Sequence, residues 1–276
     1  MIELSFIERG IVAGVIIGLI APIIGSFLLV RRVSVISESI SHITLTGISA
    51  GVLLGTMSHW FSSVSPIFFG LLFAIVGALL TERLRLIYKD FQELAVPIIL
   101  STGIGLSAIF ISLARTGYQE WYSYLFGSIV SVTMGDIYFI LATTIVILSV
   151  VLLLYKEFIS VSFDHEFAKT SGIPVRAINL IFAILTAFMI SMSIKVVGIL
   201  LIGALIVIPV ATSIQLAKSF KQLLLYGIIF AELAVLMGMY LSYQFMIATG
   251  GMIVIVALFI LTLVLVYKKG KQVLFK

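Results

Sequence analysis

Long apolar stretches separated by short polar loops run along the whole chain of 276 residues. A transmembrane helix needs about 20 consecutive apolar residues, and nine segments approach or exceed that length. They lie at residues 7–30, 33–57, 66–80, 94–113, 134–155, 177–193, 196–216, 223–243 and 251–267. We therefore predict an all-α, polytopic membrane protein with eight to nine transmembrane helices. The count would be eight if one segment were re-entrant, and the second segment is the candidate because its first half is the most polar.

Composition agrees with a membrane protein and excludes several other classes. Hydrophobic residues make up 62% of the chain and charged residues 11%, whereas soluble domains carry about 25% charge. The loops leave no room for a soluble domain, so residues 1–276 are predicted to form a single transmembrane domain. The chain has no cysteine, which excludes disulfides, thiolate metal sites and thiol catalysis.

Basic residues cluster in every second loop and at the C-terminus. The clusters lie within residues 31–32, 83–89, 156–176, 218–221 and 268–276. Short loops rich in Lys and Arg stay in the cytoplasm, so we expect these loops and the C-terminus to be cytoplasmic. The net charge of +5 resides in these loops and does not indicate a nucleic-acid partner.

The second apolar segment contains an ionisable pair, within the sequence RRVSVISESISHITLTGISAG at residues 31–51. Glu38 and His42 are four residues apart and share one face of a helix. At about 1.5 Å per residue, His42 lies roughly 15 Å beyond Arg32, which is half of a hydrocarbon core about 30 Å thick. The same face continues as a polar stripe of serines, Ser34, Ser37, Ser41 and Ser49.

The Glu38–His42 pair has two interpretations. Ionisable residues deep in a membrane indicate a transport pathway or a site, and a carboxylate with an imidazole can bind a divalent transition metal. The alternative is an interhelical Glu–His hydrogen bond that only stabilises the helix bundle. Glu232, in the middle of the eighth segment, is by the same reasoning a candidate pathway residue, or else a protonated acid hydrogen-bonded to a neighbour.

The longest inner loop, at residues 156–176, has the sequence pattern of a short helix. Asp164 or Ser162 can cap a helix over residues 165–171, Gly172 suits the position after its end, and Pro174 prevents continuation. This helix could simply lie at the lipid interface, or it could be a docking element for a cytoplasmic partner.

Several other residues are expected to cap, kink or pack individual helices. We expect Asp136 to cap the fifth helix and Lys195 to extend to the outer surface. Gly198 and Gly203 allow close helix contact, and Pro209 should kink or break its segment. An aromatic group in the longest outer loop is either an interfacial belt or part of a short helix over the outer mouth: Trp121, Tyr122 and Tyr124.

The chain shows no energy-converting or catalytic motif. A phosphate-binding GxxxxGKS/T loop, a convincing Ser–His–Asp set and an HExxH motif are all absent from the sequence. The sequence therefore shows no energy source of its own.

Four stretches together resemble the permease subunits of bacterial ATP-binding-cassette importers for zinc, manganese and iron. RRVSVISESISHITLTGISAG is similar to the second-helix motif of that family, and YLFGSIVSVTMGDI to its outer-loop motif. FDHEFAKTSGIP resembles its ATPase-coupling segment, and IKVVGILLIGALIVIPVAT its late-helix signature. The likeness extends over essentially the whole chain.

The resemblance implies a type II importer permease in a bacterial inner or plasma membrane. Such a permease is a transport subunit that is not itself an enzyme and holds no permanent cofactor. The implied partners are a second copy of the chain, cytoplasmic ABC ATPase subunits and an extracellular or periplasmic metal-binding protein, in addition to membrane lipid. The family's intramembrane acid and histidine fall on Glu38 and His42. The coupling segment falls at about 160–176, and its coupling residues are Asp164, Glu166, Ala168 and Gly172.

The resemblance favours zinc as the transported ion. Manganese and iron members often have a proline where this chain has Thr46, in SHITLTG, and this departure resembles the zinc branch. The family's acid is more often aspartate than the glutamate found at position 38. Manganese (or iron) is the first alternative. A proton-coupled secondary metal carrier and a membrane-embedded metalloenzyme are rival interpretations from other classes.

Overall fold

The computed structural model of the chain describes residues 5–88, 90–114 and 118–274. Regular structure in this described part is helical throughout. Its α-helices are α1 (Phe6–Val30), α2 (Ile36–Met57), α3 (His59–Ser62), α4 (Pro66–Ile87), α5 (Ala95–Ala114), α6 (Tyr118–Phe126), α7 (Met134–Leu153), α8 (Tyr155–Phe163), α9 (His165–Thr170), α10 (Val175–Val197), α11 (Ile199–Ser213), α12 (Phe220–Phe245) and α13 (Thr249–Leu274). Within the described residues, eight helices are long and apolar enough to cross a membrane, which confirms the all-α polytopic prediction.

The seventh apolar segment, and not the second, forms the short helix. α11 has 15 residues, because the chain leaves the helical conformation at Gly198, whose φ is +83°. The second segment, which was the candidate for re-entry if the count were eight, instead forms α2, a continuous helix of 22 residues. Pro209 lies inside α11 without ending it, and the break expected near this proline occurs at Gly198.

Three helices, α1, α2 and α10, form the buried centre of the bundle. Between 67% and 72% of the residues in their apolar stretches are buried, against 28–39% in the other five spans. α2 packs mainly against α4 and α5, and it also contacts α10 and α11. The helix with the Glu38–His42 pair is therefore enclosed by four neighbours.

Glycines allow the neighbouring helices to approach α2 at backbone distance. A side chain at Gly47 would meet the backbone of α4 at Phe69. A Cβ atom at Gly103 of α5 would lie 2.9 Å from the carbonyl carbon of His42. Small residues at such contacts are the usual means of close packing between membrane helices, because apolar side chains gain little by leaving lipid.

A mostly buried ion pair joins α7 to α10. Thr133 is the N-cap of α7, and Asp136 completes a capping box from the third helical position. Lys195 Nζ donates a hydrogen bond to Asp136 Oδ2 at 2.7 Å, and the two side chains are only 17% and 11% exposed. The prediction that Lys195 extends to the outer surface is wrong, because a buried carboxylate within reach stabilises the ammonium inside the bundle.

The aromatic group of the longest outer loop lies on the short helix α6. This helix contacts α10, α11 and α13. Tyr124 is buried, whereas Tyr122 is exposed. The group is therefore more than a belt at the interface, since part of it belongs to the packed core.

Candidate metal pathway

Glu38 is the single opening in an otherwise enclosed stretch of α2. Every residue from 36 to 51 is buried except Glu38, whose side chain is 37% exposed. His42, one turn further on, is buried, with a side chain 9% exposed. A partly exposed carboxylate thus lies one helical turn from a buried imidazole.

The two side chains face each other without bonding to another helix. His42 Nε2 lies 3.7 Å from Glu38 Oε1, which is longer than a hydrogen bond. Within the described residues, His42 Nδ1 is buried without a hydrogen-bond partner. The interhelical Glu–His bond of the alternative interpretation is therefore not present in the described part of the bundle.

The spacing of the pair suits two ligands of one ion. Zinc binds imidazole nitrogen and carboxylate oxygen at about 2.0–2.2 Å, so two tetrahedral ligands lie about 3.4 Å apart. The 3.7 Å between Nε2 and Oε1 is close to that value. Among the described residues no group of three or more His, Cys, Asp or Glu is placed to hold a metal, so within one copy the pair is not part of a larger ligand set.

Helix α11 lies directly against the carboxylate. A Cβ atom at Gly203 would fall 2.5 Å from Glu38 Oε2, so the absence of a side chain there makes room for the acid. Gly203 therefore permits close contact, as predicted, and the group that it contacts is the Glu38 carboxylate.

Three serines of the stripe make hydrogen bonds inside the protein. Ser37 donates to the carbonyl of Ser34 in the turn before α2, and Ser41 donates to the carbonyl of Ser37, each at 2.7 Å. Ser49 instead pairs with Ser107 of α5 at 2.8 Å. Hydroxyls satisfied in this way stabilise the helix and its packing. Among the described residues, His42 Nδ1 on this helix has no such partner.

The short helix predicted in the longest inner loop is present as α9, with the predicted residues at its two ends. The Asp164 side chain accepts a hydrogen bond from the amide of Phe167 at 2.9 Å and so caps α9. Gly172 has the left-handed φ of +81° just after the helix end. Ala168 is fully buried and Glu166 is exposed, so α9 is attached on one face and presents the other outward.

Glu232 lies apart from the Glu38–His42 pair. It is half-buried on α12, and a Cβ atom at Gly18 of α1 would be 3.1 Å from its Oε1. Within the described residues it joins no metal-binding group and no ion pair. The structure therefore places Glu232 against α1 and does not bring it into the candidate site.

Arg31 is a residue whose role the sequence did not reveal. Its guanidinium lies 4.4 Å from the centre of the Phe182 ring and donates hydrogen bonds to Ser162 at 2.8 Å and Asn179 at 3.0 Å. Burial lowers the pKa of Arg31 to about 10, so it stays charged at neutral pH. Arg31 thus connects the α1–α2 turn to α8 and α10. The sequence pattern, a basic pair before an apolar segment, indicated only a position at the membrane surface.

Two glycines on α5 offer a matched test of the packing around His42. Gly103→Ala should destabilise the protein by about 1–3 kcal/mol, because the new methyl group would press on the His42 backbone and overpack the contact. Gly105→Ala should be neutral or stabilising, because nothing lies within 4 Å of its Cβ position and alanine is the better helix former. Thermal unfolding of both variants in detergent measures the difference, and equal stabilities would contradict the close α2–α5 contact.

The sequence matches one known protein family over almost its whole length. A family model described as the ABC 3 transport family matches residues 3–268. A probable metal transport system membrane protein of Treponema pallidum is 31% identical over 265 residues, 96% of each chain. The manganese transport system membrane protein MntC of Listeria monocytogenes is 26% identical over 275 residues, covering 100% of this chain and 95% of that protein.

A solved structure shares the fold. PsaBC from Streptococcus pneumoniae, in complex with Fab, superposes with a TM-score of 0.82 at 24% identity, over 95% of this chain and 91% of the other. This similarity concerns the helix arrangement, whereas the family model extends over nearly the whole sequence. The chain therefore belongs to the ABC 3 transport family.

Proposed function

We propose that the chain is the permease subunit of an ABC importer that moves a divalent transition metal, zinc, into the cytoplasm. The observation that supports this most directly is the Glu38–His42 pair, placed at the one opening in the buried stretch 36–51 of α2. Membership of the ABC 3 transport family and the names of the relatives support metal transport. The host membrane is then a bacterial cell membrane, with the C-terminus in the cytoplasm.

The proposed site is shared by two copies of the chain. One copy offers two ligands, which is too few to replace the hydration of a divalent ion. In a dimer with two-fold symmetry every ligand occurs twice, so two Glu38–His42 pairs would supply four. Four ligands of nitrogen and oxygen match the coordination that zinc prefers. The partial exposure of Glu38 in the single copy is consistent with a carboxylate directed toward such an axis.

Manganese is the second candidate, and a specific observation favours it. The Listeria monocytogenes relative is named for manganese transport, and so is a manganese import permease, ScaB, of Streptococcus gordonii with 28% identity. Zinc is supported by the four-ligand set and by Thr46 in SHITLTG. Imidazole–carboxylate sites bind zinc more tightly than manganese at equilibrium, so selectivity would rest on geometry and on the metal delivered.

The transport cycle requires partners. A separate ABC ATPase would supply energy, docking on α9 through Asp164, Glu166, Ala168 and Gly172, and an external metal-binding protein would deliver the ion. The metal is cargo, so its coordination must be transient. ATP-driven movement of the helices would open the ligand set toward the cytoplasm.

Uptake measurements in a strain lacking the native system test the proposal. The chain is expressed with and without the ABC ATPase that co-purifies with it, and accumulation of labelled zinc and labelled manganese is followed. We expect zinc uptake only when both subunits are present. Uptake without the ATPase would instead identify a secondary carrier, and uptake of manganese alone would transfer the assignment to manganese.

The coupling assignment has its own test at Gly172. Gly172→Val should abolish transport-coupled ATP turnover, because a β-branched residue at a φ of +81° strains the end of α9. Space is not the cause, since nothing lies within 4 Å of its Cβ position. Gly172→Asn is the control, because asparagine tolerates the left-handed region and should retain much of the turnover. Wild-type coupling in Gly172→Val would show that α9 does not dock the ATPase.

A further inference from the structure

A groove separates α4 from α10 at their inner ends and is closed on one side by α9. Its volume is about 880 Å³. The floor is apolar and includes side chains of both spans, Leu79, Leu86, Val175 and Leu180. Leu79, Leu86 and Leu180 are all exposed, so the groove lies open along the outside of the described bundle.

The rim of the groove is strongly basic. Arg83, Lys169 and Arg176 line it from three different helices. The acid among its lining residues is Glu82, and that carboxylate accepts a hydrogen bond from Arg85 at 3.0 Å. The three rim cations are therefore not neutralised by the groove itself, and they suit an anionic ligand.

An adjoining cavity increases the positive potential. It has a volume of about 260 Å³ and shares Glu82, His165 and Asn179 with the groove. Arg31 and Arg32 line it from the α1–α2 turn. Two further cations therefore line the cavity next to the groove.

The depth of the groove favours a lipid over a soluble anion as its ligand. Leu79 precedes the end of α4 at Ile87 by eight residues, which is about 12 Å of helix. The groove therefore runs from the basic helix ends into the apolar part of two spans. A soluble anion would use only the rim, whereas a phospholipid would place its phosphate at the rim and an acyl chain along the leucines.

We propose that this groove is a binding site for an anionic phospholipid of the inner leaflet. The phosphate would accept hydrogen bonds from Arg83 and Arg176, with Lys169 contributing charge from α9, and one acyl chain would cover Leu79 and Leu180. Guanidinium groups suit a phosphate because they donate in pairs, and basic pockets between spans on the cytoplasmic side are typical sites for anionic headgroups.

Native mass spectrometry of the full-length chain in detergent tests the site. The probes are phosphatidylglycerol, phosphatidylcholine with the same acyl chains, and inorganic phosphate. We expect retention of phosphatidylglycerol, and about ten- to thirtyfold weaker retention by the double variant R83Q/R176Q. The double variant K218Q/K221Q removes the same charge from exposed residues at the α11–α12 connection, outside the groove, and should retain the lipid as the native chain does.

Other outcomes would overturn the proposal. Equal retention by both double variants would show that lipid binding does not involve the groove. Equal retention of phosphatidylcholine would show that the negative charge of the headgroup does not contribute to binding. Displacement of phosphatidylglycerol by inorganic phosphate would indicate a site for soluble anions.

Discussion

His42→Ala and Glu38→Ala are each expected to abolish metal uptake, down to the level of a strain without the permease. In the proposed dimer each substitution removes two of four ligands, and the remaining pair cannot replace the hydration of the ion. Neither side chain hydrogen-bonds to another helix in the described part of the bundle, so membrane insertion and ATPase association should be retained. Uptake of labelled zinc, normalised to the amount of permease in the membrane, measures the effect.

Ser41→Ala is the matched control for these two variants. Ser41 is fully buried on the same helix, but its hydroxyl donates to the carbonyl of Ser37. Its loss should leave uptake near wild type. Glu38→Asp should retain partial activity, since it keeps the carboxylate and shortens its reach by one methylene. Normal zinc uptake by His42→Ala would show that His42 is not a metal ligand. Glu38 and His42 would then be residues that only contribute to helix packing.

Features that depend on local sequence were predictable. Eight of the nine apolar segments correspond to helices long and apolar enough to cross a membrane, because length and hydropathy decide which helices can cross a bilayer. The i, i+4 spacing placed Glu38 and His42 on one face, where the structure shows them 3.7 Å apart. The caps of α9 were also predictable, because Asp164 and Gly172 act on backbone groups only a few residues away.

Features that depend on distant parts of the chain were not predictable from one sequence. Lys195 and Asp136 are 59 residues apart, and neither has a local pattern that reveals its partner. Periodicity did not indicate that the break before α11 would fall at Gly198 rather than near Pro209. Gly198 fits there because a side chain would meet the backbone of Phe126 and Gly127, which is a tertiary contact.

Removing the ammonium of Lys195 should cause a large loss of stability. Lys195→Met keeps most of the side-chain length but leaves the buried Asp136 carboxylate without its counter-ion, and breaking a buried pair in this way costs about 3–5 kcal/mol. The residual hydrogen bonds from Thr133 to Asp136 favour the lower end of that range. Denaturant unfolding in mixed micelles measures the change in the free energy of unfolding.

A double variant separates the charge effect from a packing defect. Lys195→Met combined with Asp136→Asn removes both charges and keeps a side chain that can still cap α7, so it should recover most of the lost stability. Lys221→Met, at an exposed lysine, should cost less than about 0.5 kcal/mol. If the double variant is as unstable as Lys195→Met alone, the loss comes from packing around position 195. In that case the ion pair is not what holds α7 against α10.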